Sequence, residues 1–302
     1  MSNIIRLFFM SLLASSSAIV IGCSDADNTT PVTAEPTQSA ATKQPSTPES
    51  PAIKKAKETE PLESDASSEP KITTQPKTQN TQSDRLPAIP KFKDFAAGPP
   101  RKQAFFDFMA PLIKRANAAI LEDRERLKGL ISSHSMEKNG QAWLKKQAKR
   151  YGVDNFNPSN QADLTALLTR IDAIPAALAL AQGANESAWG TSRFARQANN
   201  YFGQWCFSKG CGLVPKRRND GASHEVRAFD HPYQSIVSYI HNLNSHRTYE
   251  KLRQIRAQTR QKGQTPTGLE MTEGLVNYSE RKHEYVKELQ SMIRYNKLTQ
   301  YN

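Results

Sequence analysis

The chain has 302 residues, with 41 Lys and Arg against 29 Asp and Glu, and a formal net charge of +12. Hydrophobic residues make up 37% of the chain and the mean hydropathy is −0.66, which predicts that part of its length is not packed into a core. No apolar run after the N-terminus reaches the roughly 20 residues of a membrane span, so a polytopic membrane protein is excluded. The 3 cysteines exclude a disulfide-built fold and an all-cysteine zinc site, which needs about four.

The positive charge is concentrated in the C-terminal two thirds of the chain. Residues 1–99 hold 10 Lys and Arg and 11 Asp and Glu, whereas residues 100–302 hold 31 and 18. A basic domain of this kind suits an anionic partner, which could be nucleic acid, acidic lipid or an acidic wall polymer. Net charge alone does not distinguish among these three partners.

Residues 1–23 have the pattern of a bacterial secretory signal. Arg6 precedes a short apolar stretch, and the segment ends in Val20–Cys23, which resembles a lipobox. We therefore predict export and lipidation at Cys23, with an ordinary signal peptide and an incidental cysteine as the alternative. Ser24 favours the outer membrane over the inner one, so we expect a lipid-anchored protein of the cell envelope, at the periplasmic face of that membrane.

A linker separates this signal from the expected domain. Residues 24–91 are rich in Ser, Thr, Pro and Gln, and aromatic side chains return only at Phe92. Such a segment cannot bury enough apolar surface to offset the entropy of ordering it, so it is predicted to be a disordered tether. The ordered domain is expected to span residues 92–302.

The domain is predicted to be mainly α-helical, with a small β-lobe inserted after a central helix. Asp172 is placed as the N-cap of an Ala- and Leu-rich helix over 176–184, which should be buried. Pro111 is expected to kink its helix or begin a new one. Residues 225–229 alternate like a short strand. Apolar spacing predicts the helices at 102–131, 141–151, 162–171, 176–184, 233–243, 249–262, 270–276 and 283–293.

Glu186 is the strongest candidate for acid chemistry. It ends the Ala- and Leu-rich helix, where apolar surroundings and the negative end of the helix dipole both disfavour a carboxylate. Both effects should raise the pKa of Glu186, and a protonated carboxyl can donate a proton to a leaving-group oxygen. Trp189 and Gly190 follow it and could offer a flat wall and an open approach to a sugar ring. The alternative is a Glu that bonds a backbone group in a turn.

Several separated blocks of the sequence resemble the bacterial N-acetylglucosaminidases of the flagellar and autolysin type. The resemblance covers roughly residues 95–300. It implies a lysozyme-like α+β fold that cleaves β-1,4 bonds between N-acetylglucosamine and N-acetylmuramic acid in peptidoglycan, with no cofactor. The blocks that carry it are Asn185–Ser192, Asn199–Gly203, Trp205–Gly212, Pro215–Arg218 and Tyr239–Asn244.

The resemblance also implies roles for single residues. Glu186 is similar to the family's acid, and Glu225 is the best match to its second carboxylate, with Asp220 and Asp230 as competitors. Tyr278 fits the family's functional tyrosine, although the residues after it depart from the usual pattern and a packed aromatic is the alternative. A retaining, an inverting or a substrate-assisted mechanism stays open.

Aromatic residues around these carboxyls are candidate contacts for the substrate. Trp205 and Tyr201 could form a sugar platform, although Tyr201 suits the core equally well. The predicted substrate contacts are Trp189, Tyr201, Phe202, Gly203 and Trp205.

Cys206 and Cys211 are predicted to form a small disulfide loop. With Cys23 lipidated, an even pair of cysteines remains in an oxidising compartment. The alternative is a thiol pair on zinc. We predict no metal, because His241 and His246 do not share a helical face and the chain has no HExxH motif.

Two rival functions belong to other classes. A catalytically inactive lipoprotein of the same fold, which binds or scaffolds the wall, would keep the basic surface and the aromatics without needing Glu186. The basic run Lys216–Arg218 permits nucleic-acid binding, but an exported chain would rarely meet that partner. We therefore expect a monomeric peptidoglycan hydrolase with no nucleic-acid partner.

Overall fold

A computed structural model describes residues 85–133, 137–216, 218 and 221–302. The predicted signal segment, Cys23 and nearly all of the linker lie outside the described residues, as do Arg217 and Asp220. Within the described part the expected fold class is confirmed: the chain is mainly helical with one small sheet. No helix among the described residues is long and apolar enough to cross a membrane.

The helices follow the predicted order. The α-helices are α1 (Pro99–Ser132), α2 (Lys138–Tyr151), α3 (Gln161–Arg170), α4 (Ala176–Ser187), α5 (Arg193–Ala198), α6 (Pro232–Ser245), α7 (Glu250–Gln261), α8 (Gly268–Met271) and α9 (His283–Tyr295). Short 3-10 turns occupy Phe92–Asp94, Arg247–Tyr249, Thr272–Leu275 and Leu298–Tyr301. The helix predicted over 270–276 is therefore a short α-helix that passes directly into a 3-10 turn.

No new helix begins at Pro111. The structure has one helix, α1, that runs through this proline. Proline removes a backbone donor and disfavours a helix interior, so packing must compensate. On both sides of Pro111 the helix buries apolar side chains in the core, including Phe108 and Leu112.

Helix α4 is the central element, as predicted. Every residue from Ala176 to Ala184 is buried, and the helix packs against α1, α8, α9 and the C-terminal turn. Asp172 does not cap it, so that prediction is wrong. The residue before the helix is Pro175, and the side chain of Asn302 accepts a hydrogen bond from the backbone amide of Ala177 at 3.0 Å.

Asp172 instead lies in a buried cluster of arginines. Its carboxylate accepts two hydrogen bonds from Arg260, one from Nε at 2.5 Å and one from Nη2 at 2.7 Å, and lies 3.5 Å from Arg124 and 3.7 Å from Arg256. Arg256 also donates to the backbone carbonyls of Asp172 and Ala173 at 3.1 and 3.0 Å. Burial lowers the pKa of Arg256 to about 10. These contacts fix the segment that leads into α4, and with it the position of the residues at the far end of that helix.

The β-lobe is a three-stranded antiparallel sheet. Its strands are β1 (Trp205–Cys206), β2 (Gly212–Leu213) and β3 (Glu225–Arg227), in the order β1-β3-β2. Trp205 and Leu213 both pair with Val226 of the central strand. The strand predicted from alternation is therefore present, but Glu225 and Val226 are both buried, so the alternation does not report burial.

Candidate active site

Glu186 lies in the last turn of α4. The residue is exposed, yet enough protein surrounds the carboxyl for burial to be the main cause of its raised pKa. The two observations agree if the group is open on one side only. Hydrogen bonds from Tyr285 and Asn185 oppose the shift, and the negative charge of Glu288 adds to it. Glu186 therefore keeps its proton to a higher pH than an ordinary glutamate.

Tyrosines from three elements surround this carboxyl. Tyr285 on α9 donates a hydrogen bond to Glu186 Oε1 at 2.8 Å. The rings of Tyr249, Tyr278 and Tyr285 follow one another with centroid distances of 5.9 and 5.4 Å, and we call these three residues the tyrosine row. Burial raises the pKa of Tyr249 to about 12 and raises that of Tyr278 well above its ordinary value. The phenols are therefore neutral hydrogen-bond donors at physiological pH.

Tyr278 lies in the site, but among the described residues its hydroxyl is hydrogen-bonded to Phe202 and not to Glu186. Its hydroxyl donates to the backbone carbonyl of Phe202 at 3.3 Å, and its ring stacks on Tyr285 at an interplanar angle of 2°. The phenol that contacts the candidate acid is Tyr285, which the sequence did not single out. The two tyrosines are seven residues apart, and nothing in their local sequence tells which one reaches α4.

Glu225 is held by its own lobe. Its carboxylate accepts hydrogen bonds from the backbone amides of Gly210 at 2.9 Å and Gly212 at 2.8 Å, and these bonds lower its pKa. The Glu225 side chain is buried, but the effect of burial on its pKa is smaller than the effect of the two hydrogen bonds. Glu225 is not among the groups that shift the pKa of Glu186, whereas Glu288 is. A second catalytic carboxylate at Glu225 therefore stays a prediction.

Cys206 and Cys211 are joined by a disulfide within the same loop. Their sulfur atoms and the carboxylate of Glu225 lie within 4.8 Å of one another, so this is also the group of side chains that could ligate a metal if the bond were reduced. The disulfide and the hydrogen bonds to Glu225 restrain the same segment of the chain, residues 206–212. The loop between β1 and β2 therefore has two independent restraints, one covalent and one electrostatic.

Replacing both cysteines by Ser should lower the free energy of unfolding by about 2 kcal/mol, because the bond closes a loop of only a few residues. Urea denaturation of wild type and of the Cys206→Ser/Cys211→Ser variant measures this difference. Wild type in reducing agent is the matched control and should reproduce the variant. Equal stability of all three samples would show that the Glu225 hydrogen bonds alone hold the loop between β1 and β2.

The remaining predicted contacts divide into core and surface. Tyr201 is 1% exposed and packs against Phe92 and Phe105, so it is a core residue and not a sugar platform. Trp205 is 56% exposed and stacks on His224 at 4.2 Å, which leaves much of the indole accessible.

The three other predicted positions differ from one another in exposure. Phe202 is buried and stacks on Tyr239 at 4.0 Å, while Gly203 after it is exposed. Trp189 is half-buried and packs edge-on against Phe106, so its role as a sugar wall stays a prediction.

Gly190 does not provide an open approach. It is buried, its φ is 76°, and a Cβ there would lie 2.3 Å from the ring of Phe92. This glycine is needed for close packing in the turn that follows α4. The prediction of an open approach at this position is therefore wrong.

A carboxyl with a raised pKa at the end of a buried helix, beside hydrogen-bonding phenols, is an arrangement suited to proton donation. It coincides with the region that matches a known family. The model of the Glucosaminidase family, described as mannosyl-glycoprotein endo-beta-N-acetylglucosaminidase, matches residues 161–298, which include the site from α4 to α9.

A particular relative extends this match. The chain is 33% identical over 209 residues to Protein bax of Escherichia coli (strain K12), an alignment that covers 69% of this chain and 74% of the relative. The chain therefore belongs to the family of glucosaminidase-domain proteins that includes Protein bax. No solved structure matches the chain.

Proposed function

We propose that this protein is a glycoside hydrolase that cleaves β-1,4 bonds between N-acetylglucosamine and N-acetylmuramic acid in peptidoglycan. The observation that carries the proposal is Glu186, a carboxyl whose pKa burial raises and whose residue is nevertheless exposed to solvent. Membership in the glucosaminidase-domain family supports the same reaction class. Glu186 is the general acid: it protonates the glycosidic oxygen as the bond to the leaving sugar breaks.

The step in which the anomeric carbon is attacked is a separate part of the proposal. Glu225 is engaged by backbone amides, which favours a substrate-assisted route in which the 2-acetamido group of the sugar attacks the anomeric carbon. In that route Tyr278 or another polar group orients the amide, and no enzyme nucleophile is needed. The exposed indole of Trp205 supplies a stacking surface for a sugar ring.

The function is tested by digesting purified peptidoglycan with the full-length protein and separating the soluble fragments by chromatography. We expect new fragments that end in a reducing N-acetylglucosamine. A catalytically inactive wall-binding lipoprotein is the second candidate. It is favoured by the hydrogen bonds that hold the Glu225 carboxylate to the backbone amides of Gly210 and Gly212. That candidate gains if wild type sediments with peptidoglycan but releases no fragments.

The predictions for the N-terminal segment extend the proposal to location. We place the protein at the periplasmic face of the outer membrane, anchored through a lipid on Cys23. When the full chain is expressed in bacteria fed labelled palmitate, wild type should carry the label and Cys23→Ser should not. Membrane fractionation should then find the variant in the soluble fraction. Labelling of both proteins, or of neither, would contradict lipidation at Cys23.

A further inference from the structure

A chain of three hydrogen bonds runs through the core and ends at Glu186. Tyr239 Oη donates to Gln182 Oε1 at 2.6 Å, and Gln182 Nε2 donates to Tyr285 Oη at 3.0 Å. Tyr285 Oη then donates to Glu186 Oε1 at 2.8 Å. Gln182, Tyr239 and Tyr285 are 0%, 1% and 2% exposed, so water does not compete for these groups.

The direction of donation is fixed at each step. A phenol has one proton, and the Tyr285 oxygen already accepts from the amide of Gln182, so its proton is free to go only to Glu186. The amide of Gln182 is oriented in turn, because its carbonyl oxygen accepts from the hydroxyl of Tyr239 and its nitrogen donates to Tyr285. The three buried residues therefore deliver a donor, and not an acceptor, to Glu186 Oε1.

We infer, on the basis of the function proposed above, that Tyr285 is the positioning residue of Glu186. Its hydroxyl, oriented by Gln182 and Tyr239, occupies Oε1 and places the acidic proton on Oε2. In the reaction the Oε2–H bond breaks, the proton passes to the glycosidic oxygen, and the electron pair stays on the carboxylate. The negative charge that forms is shared with Oε1, where the hydrogen bond from Tyr285 becomes charge-assisted and stronger.

Other groups around Glu186 act in both directions. Asn185 donates a hydrogen bond that favours the carboxylate, while the charge of Glu288 on α9 disfavours it. Tyr278 and Tyr249 are neutral and lie next to Tyr285 in the tyrosine row. The hydrogen bond from Tyr285 is the largest of the effects that lower the pKa of Glu186, so its removal has a predictable sign.

Tyr285→Phe removes the hydroxyl and keeps the ring that stacks on Tyr278. We expect kcat for peptidoglycan cleavage to fall roughly tenfold or more with KM little changed, because the lost hydrogen bond is strongest in the transition state. The pKa of Glu186 should rise, so the high-pH limb of the pH–rate profile, where the acid loses its proton, should move to higher pH. A purely structural role would lower the rate without moving that limb.

A second readout does not depend on activity. Carboxyl carbon NMR titration of the full-length protein, with Glu186→Gln to assign the resonance, should show a higher pKa for Glu186 in Tyr285→Phe than in wild type. Tyr295→Phe, on the same helix but 79% exposed, is the control and should leave both the rate and the titration unchanged. An unchanged pKa together with an unchanged pH profile in Tyr285→Phe would overturn the inference.

Two further arms separate the possible failures. If Tyr285→Phe does not fold, Tyr239→Phe keeps the stacking on Phe202 while removing the far donor, and a titration of Glu186 identical to wild type would equally overturn the inference. If wild type cleaves no peptidoglycan, the proposed function fails, while the NMR titration still decides whether Tyr285 controls Glu186.

Discussion

Replacing Glu186 by Gln should lower the rate of peptidoglycan cleavage by roughly 10²- to 10⁴-fold, the usual contribution of a general acid. Glutamine keeps the shape of the side chain and can still accept the hydrogen bond from Tyr285, but it carries no proton acidic enough to donate. The measurement is the initial rate of fragment release from purified peptidoglycan. Glu284→Gln is the matched control: Glu284 is exposed on α9, next to Tyr285 in sequence, and should leave the rate unchanged.

The same substitution should not destabilise the protein. A carboxyl whose pKa is raised in the folded state loses stability as the pH rises through that range, since the unfolded chain ionises more readily. Glu186→Gln should therefore melt at or slightly above the temperature of wild type at neutral pH. The difference in melting temperature should vanish below the pKa of an unfolded glutamate, at about pH 4.3.

In the activity assay, a Glu186→Gln variant that is as active as wild type would refute the assignment of Glu186 as the acid.

Asp172→Asn should lower the free energy of unfolding by about 3–5 kcal/mol, the range for removing one partner of a buried ionic group. Asp172 is 2% exposed and faces Arg124, Arg256 and Arg260. The Nε atom of Arg256 has no hydrogen-bond partner among the described residues, so the charge of Asp172 is what compensates it. Thermal denaturation should show the loss as a fall of roughly 10 °C in Tm.

The control for this effect is an exposed ion pair on α1. Glu125 pairs with Lys128 at 2.7 Å, and both side chains are solvent-accessible, so Glu125→Gln should change stability by well under about 1 kcal/mol. If Asp172→Asn has the same Tm as Glu125→Gln, the arginine cluster does not hold the segment before α4. The mechanism by which the fold fixes the base of the central helix would then be wrong.

Local patterns in the sequence predicted most of the helices and the position of the acid. The Ala- and Leu-rich stretch over 176–184 identified α4 as buried, and a carboxyl at its end followed directly as a candidate site. Both depend on the spacing of neighbouring residues, which a sequence displays. The β-lobe was also predictable in outline, because its glycines, cysteines and aromatics differ from the surrounding helical pattern.

Long-range contacts were not predictable in the same way. Asp172 resembles an N-cap locally, but arginines more than 80 positions later in the chain take its carboxylate. Tyr285 reaches Glu186 across 99 residues of sequence, and Gln182 is linked to Tyr239 across 57. The local sequence of Glu225 likewise predicts a free carboxylate on a strand, because the backbone amides that bind it belong to Gly210 and Gly212.

The chemistry proposed for Glu186 is tested most directly by mass spectrometry of the products formed from peptidoglycan in oxygen-18 water. Hydrolysis that begins with proton donation from this residue should yield fragments ending in a reducing N-acetylglucosamine that carries one heavy oxygen atom. These fragments should be absent with Glu186→Gln. Unlabelled anhydro-sugar ends, or labelled ends produced equally by the variant, would contradict the account.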